Sequence, residues 1–255
     1  MKVISIANQK GGVGKTTTTM NLAAGLVQAG KKVLCIDYDP QGNLSNYLAY
    51  EPDGGLTISE LMIAVANRQQ VDVAAAICCN DEGIDYIPSS ILLAGADMFL
   101  APVVCREQVL KRLLADAELQ EYDFVLIDCL PSLGVLLTNA LTASDEVLIP
   151  VQAQKFALDG LSQLQQVIEM VQQNINATLR LGGVLLTMVD NTNMSRAVEE
   201  ALKDEFGSLL FTAQIRKSVE AANSTYEQRS MVSHKGSARG QEYRAVVAEF
   251  LGREV

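Results

Sequence analysis

Gln9-Lys10-Gly11-Gly12-Val13-Gly14-Lys15-Thr16-Thr17 follows a short apolar run, Val3 to Ala7, and opens a helical stretch, Thr18 to Gln28. A glycine loop between a strand and a helix is the context in which a P-loop reading is credible. The glycines let backbone N–H groups converge on phosphate oxygens, and the helix N-terminus adds positive potential. Gly11, Gly12, Val13, Gly14, Lys15, Thr16 and Thr17 are therefore the expected phosphate cradle. In such a cradle Lys15 reaches the terminal phosphates and the Thr16 hydroxyl binds Mg²⁺.

Outward from this loop, strands and helices alternate. Val33–Asp37, Ile84–Pro88, Phe124–Asp128, Val147–Val151, Leu181–Val189 and Leu209–Ile215 read as further strands. Ser59–Ala66, Arg106–Leu119, Leu133–Ala143, Leu158–Asn174, Ser195–Glu205 and Glu242–Leu251 read as helices, and Asn67–Asp81 as a surface helix plus loop. Continuous apolar strands alternating with helices predict an α/β fold: a mostly parallel twisted sheet flanked by helices on both faces. Ligands of such sheets sit at the carboxyl ends of the strands. The glycine loop, Asp37, Asp39 and Asp128 all fall there. Pro52-Asp53-Gly54-Gly55 reads as a turn, and Asp123 as a turn residue. No linker, repeat or low-complexity tract interrupts the pattern, so residues 1–255 are expected to form one domain.

The chain has 255 residues, 49% of them hydrophobic. A domain of that size buries roughly 70–75% of its unfolded surface, so neither disulfide nor metal staple is needed. Cys35, Cys78, Cys79, Cys105 and Cys129 are odd in number and form no CxxC; reduced thiols in a cytoplasmic protein are the expectation. A lone histidine, His234, excludes a histidine metal cluster and reads as a loop residue. Neither a signal peptide nor a membrane-spanning segment is expected. The net charge is −10, without tryptophan. That balance argues against a strongly basic nucleic-acid binder, although a local basic patch remains open.

Two further segments carry carboxylates. Cys35-Ile36-Asp37-Tyr38-Asp39-Pro40-Gln41-Gly42-Asn43 ends one strand. Pro40 and Gly42 favour a fixed bend after the strand, which decides where its two acids point. Tyr122-Asp123-Phe124-Val125-Leu126-Ile127-Asp128-Cys129-Leu130-Pro131-Ser132 is a buried-type strand that also ends in a carboxylate.

Together with Lys10, a second lysine ahead of the glycines, these segments resemble the deviant P-loop ATPases of the ParA/MinD group, nearest to ParA/Soj partition proteins. The likeness runs from about Met1 to Glu249 and is most specific near the N-terminus. It extends through Pro150-Val151-Gln152, Phe156-Ala157-Leu158-Asp159-Gly160-Leu161 and Gly183-Val184-Leu185-Leu186-Thr187-Met188, segments it assigns to a dimer face and part of the base pocket. The resemblance implies ATP and Mg²⁺ as cofactors and a homodimer formed with ATP. It implies that Lys10 crosses that dimer to the partner's nucleotide. Lys10, Lys15 and Asp39 would be catalytic, Asp39 by orienting the attacking water. Thr16, Asp37 and Asp128 would form the metal site, the two acids acting through water. It further implies a ParB-like partner protein, and nonspecific DNA as a candidate partner.

The resemblance breaks at the residues that bind DNA in such relatives. Asp190-Asn191-Thr192-Asn193 lacks the family's arginine, and Ile215-Arg216-Lys217-Ser218-Val219-Glu220 places an acid where a second arginine is usual. A reversed charge repels phosphate. Arg196, Arg216, Lys217, Arg229, Lys235 and Arg239 remain as donors. Leu130-Pro131 also stands where the family has two prolines. Three functional classes follow: a partition switch, a MinD-like or cargo-positioning switch with weak or no DNA binding, and a metabolic ligase of the dethiobiotin synthetase kind. The C-terminal stretch from Glu242 has balanced charge and reads as a docking helix rather than a membrane-surface helix. Cys129 lacks a second cysteine suited to an iron–sulfur cluster.

Overall fold

The protein is described by a computed structural model covering residues 1–52, 54–154 and 157–254. Its chain order is β1 (Lys2–Ile6), α1 (Lys15–Gln28), β2 (Val33–Tyr38), α2 (Asn43–Tyr47), α3 (Ile58–Ala66), β3 (Cys78–Cys79), β4 (Asp85–Ile87), α4 (Ala96–Leu100) and α5 (Val109–Leu114). Then come β5 (Phe124–Cys129), α6 (Val135–Ala143), β6 (Glu146–Gln152), α7 (Ala157–Asn174), β7 (Arg180–Thr187), α8 (Asn193–Phe206), α9 (Glu220–Tyr226) and α10 (Ala238–Arg253). The strands form one seven-stranded sheet in the order β3-β4-β2-β5-β1-β6-β7. All pairings are parallel except the short β3–β4 edge.

Strand alternation divides the core into two layers. Val3, Leu34, Ile36, Val125 and Ile127 face a layer closed by α3, α5, α6, α7 and α8. Ile4, Ile6, Val33, Cys35 and Leu126 face the other, closed by α1, α2 and α10. Successive strand residues point to opposite faces, so a sheet covered on both sides needs apolar residues at every position. β2 and β5 meet that demand, each being buried along its whole length. The last helix does dock: the Tyr243 and Thr18 hydroxyls meet at 3.2 Å, joining α10 to α1. Among the described residues no helix is long and apolar enough to cross a membrane.

Three expectations from the sequence require correction. Leu209–Ile215 is not a strand. It meets β7 through an isolated bridge, Leu210 to Val184, and the Ile215 N–H on the Leu186 carbonyl at 3.0 Å; a further isolated bridge, Arg216 to Val189, lies beyond the strand's end. The Glu249 carboxylate takes the Thr212 and Ala213 N–H groups at 3.0 Å each, which interrupts the ladder. Arg106–Leu119 is not one helix. Asn139 accepts from the Leu110 N–H and donates to the Arg106 carbonyl, and Asp116 caps a new turn by accepting from Glu118. Only Val109–Leu114 is α-helical there. Asn67–Asp81 holds no α-helix; Arg68 turns with a φ of 59°, and the segment supplies a 3₁₀ turn, Ala74–Ala76, and the edge strand. Asp53 of the expected turn and Phe156 of the expected dimer-face segment lie outside the described residues. Asp123 sits in the bend before β5, where its side chain accepts the Lys32 N–H at 2.8 Å.

Candidate nucleotide site

The glycine loop leaves β1 at the middle of the sheet, between β5 and β6. Gly12 and Gly14 have φ of 73° and 89°, a region costly for residues with a Cβ. Gly11 and Gly12 are exposed, and a Cβ at either would meet no atom within 4 Å, so the loop is open on that side. The loop is braced from β7, where the Thr187 hydroxyl donates to the Val13 carbonyl at 2.8 Å. Lys15, Thr16 and Thr17 then form the first turn of α1.

Parallel register brings the acids together. Asp37 pairs with Asp128, and Ile6 with Asp128, so two carboxylates stand side by side where β2 and β5 end next to the loop. The Thr16 hydroxyl donates to Asp128 at 2.7 Å, and that of Thr19 at 3.4 Å. Asp37 accepts from the Ser45 N–H at 2.7 Å, the Ser45 hydroxyl at 2.6 Å and the Asp39 N–H at 3.2 Å. These bonds tie the bend after β2 to the start of α2. Asp39, half-buried, accepts the Gln41 N–H at 3.0 Å.

Electrostatically the cleft is short of positive charge. Burial, and then the neighbouring Asp37 charge, push the Asp128 carboxyl up to about 8, against the Thr16 hydrogen bond and Lys15. Burial pushes Asp37 up to about 6 despite its bonds from Ser45. Burial also holds the Lys15 amine below its ordinary value, opposed by the charge of Asp128. That amine donates to the Lys10 carbonyl at 3.2 Å. Hard oxygen donors with a deficit of cation fit Mg²⁺, which keeps waters and phosphate oxygens and needs few protein ligands. Among the described residues no group of three or more His, Cys, Asp or Glu side chains is placed to hold a metal ion.

Lys10 stands apart from this cleft. Its N–H donates to Asn8 Oδ1 at 3.0 Å, and Asn8 in turn donates to the Pro150 carbonyl at 2.8 Å. Its amine reaches Gln154 Oε1, beyond the end of β6, at 3.1 Å. The cleft, about 440 Å³, is lined by Gly11, Gly12, Gly14, Lys15, Thr16, Thr17, Asp39 and Gln41, and not by Lys10. Its far wall comes from Asn43, Asn46, Tyr47, Pro131, Met188 and Thr225. Asn43, Pro131 and Met188 each stand in a segment singled out in the sequence, Met188 in the one assigned in part to the base pocket. Sequence reasoning missed Asn46, Tyr47 and Thr225, which carry no motif. Cys129 is buried, with its thiol pushed up to about 12 by burial, the setting of a core thiol rather than a cluster ligand.

The fold and this cleft define a P-loop nucleotide-binding protein of the deviant, two-lysine type. A family described as "AAA domain" matches residues 1–181. The chain is 42% identical over 243 residues to the sporulation initiation inhibitor protein Soj of Bacillus subtilis (strain 168), covering 94% of both chains. It is 38% identical over 255 residues to the chromosome-partitioning ATPase Soj of Treponema pallidum (strain Nichols), covering 99% of this chain and 98% of that one. Among solved structures, cobyrinic acid a,c-diamide synthase from Mycobacterium smegmatis with bound ADP and magnesium superposes with a TM-score of 0.83 at 35% identity, over 98% of this chain and 94% of that one. The chain belongs to the ParA/Soj family of P-loop ATPases.

Proposed function

We propose that this chain is an ATP-dependent dimerisation switch that hydrolyses ATP slowly with Mg²⁺ and acts in plasmid or chromosome partition. The observation that carries the reading is the place of Lys10. Its backbone is fixed beside Lys15, yet its amine points past the rim of its own cleft to Gln154. A cation so placed serves a nucleotide held by a facing subunit better than its own. Contact with that phosphate is charge-assisted, so a triphosphate favours the dimer and its loss loosens it.

Within each site, the N–H groups of Gly11, Gly12, Val13 and Gly14 and the start of α1 hold the phosphates, and Lys15 neutralises their charge. The Thr16 hydroxyl, with Asp128 and Asp37 behind it, is the place for Mg²⁺, which when bound draws charge from the phosphate oxygens. Asp39, on the bend that lines the cleft, orients the attacking water. Nonspecific DNA and a ParB-like protein that stimulates hydrolysis are the proposed partners. The Glu220 reversal favours a second reading, a switch that positions a protein cargo with little DNA binding. Titrating DNA at two salt concentrations separates the two, because phosphate contacts weaken steeply as salt rises.

Light scattering with Mg²⁺ and ATP, ADP or no nucleotide tests the switch. A dimer with ATP alone is expected. Equal dimerisation in all three conditions would falsify it.

A further inference from the structure

Glu242, in the first turns of α10, places its carboxylate between two arginines. Its Oε2 accepts the Arg216 backbone N–H at 2.9 Å and lies 2.8 Å from Arg239 Nε. Its Oε1 lies 4.0 Å from Arg216 Nε. Glu220 anchors the same corner, accepting from the Ser237 hydroxyl and from the Arg239 N–H at 3.4 Å. The Glu242 side chain is 21% exposed and that of Arg239 15%, whereas Arg216 is 70% exposed. Arg216 therefore stands in solvent beside a carboxylate that is largely shielded. Lys217, Arg229 and Lys235, on neighbouring turns of chain, are exposed as well. After Val189 the chain carries nine lysines and arginines against ten acids, nearly balanced in a protein of net charge −10. The exposed cations of this region are thus nearly offset by its own acids.

We infer that Glu242 is an internal stand-in for a phosphate. It occupies the place between Arg216 and Arg239 that a DNA backbone would fill, and DNA must displace it to bind this face. A carboxylate and a phosphate oxygen make the same charge-assisted bonds to guanidinium groups, so the two compete for one set of donors. Displacement leaves Glu242 unpaired and close to the incoming phosphate, which lowers affinity. The inference rests on the DNA arm of the proposed function and sets how strongly that arm operates.

The test is fluorescence anisotropy of a short labelled DNA duplex, with Mg²⁺ and a non-hydrolysable ATP analogue, at low and at physiological salt. Glu242→Gln keeps an oxygen for the Arg216 N–H and removes the charge. It should tighten DNA binding by about tenfold at low salt and steepen the salt dependence. Adding Arg216→Ala should remove the gain. Glu242→Asp keeps the charge but is too short to bridge both arginines, and should give an intermediate gain. It is the second probe if Glu242→Gln melts early. Unchanged affinity in both Glu242 variants overturns the inference, as does a gain that survives Arg216→Ala. Dimerisation with the analogue is measured on the same samples. A failed switch shows there as a missing dimer, while a failed inference shows as an intact dimer with unaltered DNA affinity.

Discussion

The nucleotide cleft and the corner where α9 meets α10 are opposites in charge. In the cleft, Asp37 and Asp128 are buried side by side with too few cations, and Lys15 is desolvated beside them. At the corner, Arg216 and Arg239 are matched by Glu242, and the Arg239 N–H by Glu220. A cleft in electrostatic deficit is built to receive something. A compensated corner gives up its internal partners before it takes an external one. The same residue types therefore do different work, and burial with pairing decides which.

The largest expected effect breaks the cleft. Lys15→Ala should weaken ATP binding by roughly 10²–10³-fold in an equilibrium titration, because a desolvated phosphate then faces two carboxylates without its amine. Wild-type affinity would place the phosphates elsewhere. Next, Asp39→Ala should leave binding intact and slow steady-state turnover by about 10²-fold, trapping the ATP form. Normal turnover would remove Asp39 from the chemistry.

A third experiment measures the deficit itself. Asp128 and Asp37 hold protons more tightly folded than unfolded, since burial raises both from 3.8, to about 8 and about 6. Their contribution to stability is full below pH 4 and is lost as pH rises through 6 and then 8. The melting temperature of the nucleotide-free protein should fall between pH 5 and pH 9. Asp128→Asn should flatten the upper part of that fall, and Mg²⁺ with ATP should do the same in the wild type. A flat wild-type profile would mean that the carboxylates are already compensated. The smallest effect belongs to the corner. Glu220→Gln weakens the hydrogen bonding that starts α10 and should cost about 0.5 kcal/mol in denaturant unfolding, low because the side chain is partly solvated.

The same contrast explains what could be read from the sequence. The cleft motifs are contiguous, and their chemistry needs fixed spacing: Gly11 to Thr17 make one loop, and Asp37 and Asp128 each end an apolar strand. Parallel pairing does the rest. The far wall was legible only in part: Asn43, Pro131 and Met188 stand in segments read from the sequence, whereas Asn46, Tyr47 and Thr225 reach the cleft only through tertiary packing. At the corner, the sequence revealed that Glu220 replaces an arginine, but not that it accepts the Arg239 N–H or that the Glu242 carboxylate stands between Arg216 and Arg239. The failed strand at Leu209–Ile215 has the same origin. Phe211 and Ile215 are buried, while Glu249, remote in sequence, took the Thr212 and Ala213 amides that a strand needed. The single helix expected over Arg106–Leu119 was broken likewise by Asn139, whose amide intercepts the backbone at Arg106 and Leu110.

The claim that most depends on geometry is that Lys10 serves the opposite subunit. Mixing two inactive proteins tests it directly. Lys10→Ala retains Asp39 but lacks the donated amine; Asp39→Ala retains the amine but lacks the acid. In a mixed dimer one site has its own Asp39 and the other subunit's Lys10. Donation across the interface predicts that mixing restores ATP turnover that neither protein shows alone. Turnover that stays absent in mixtures shown to contain the mixed dimer would contradict the account, because a lysine acting within its own subunit leaves both sites incomplete.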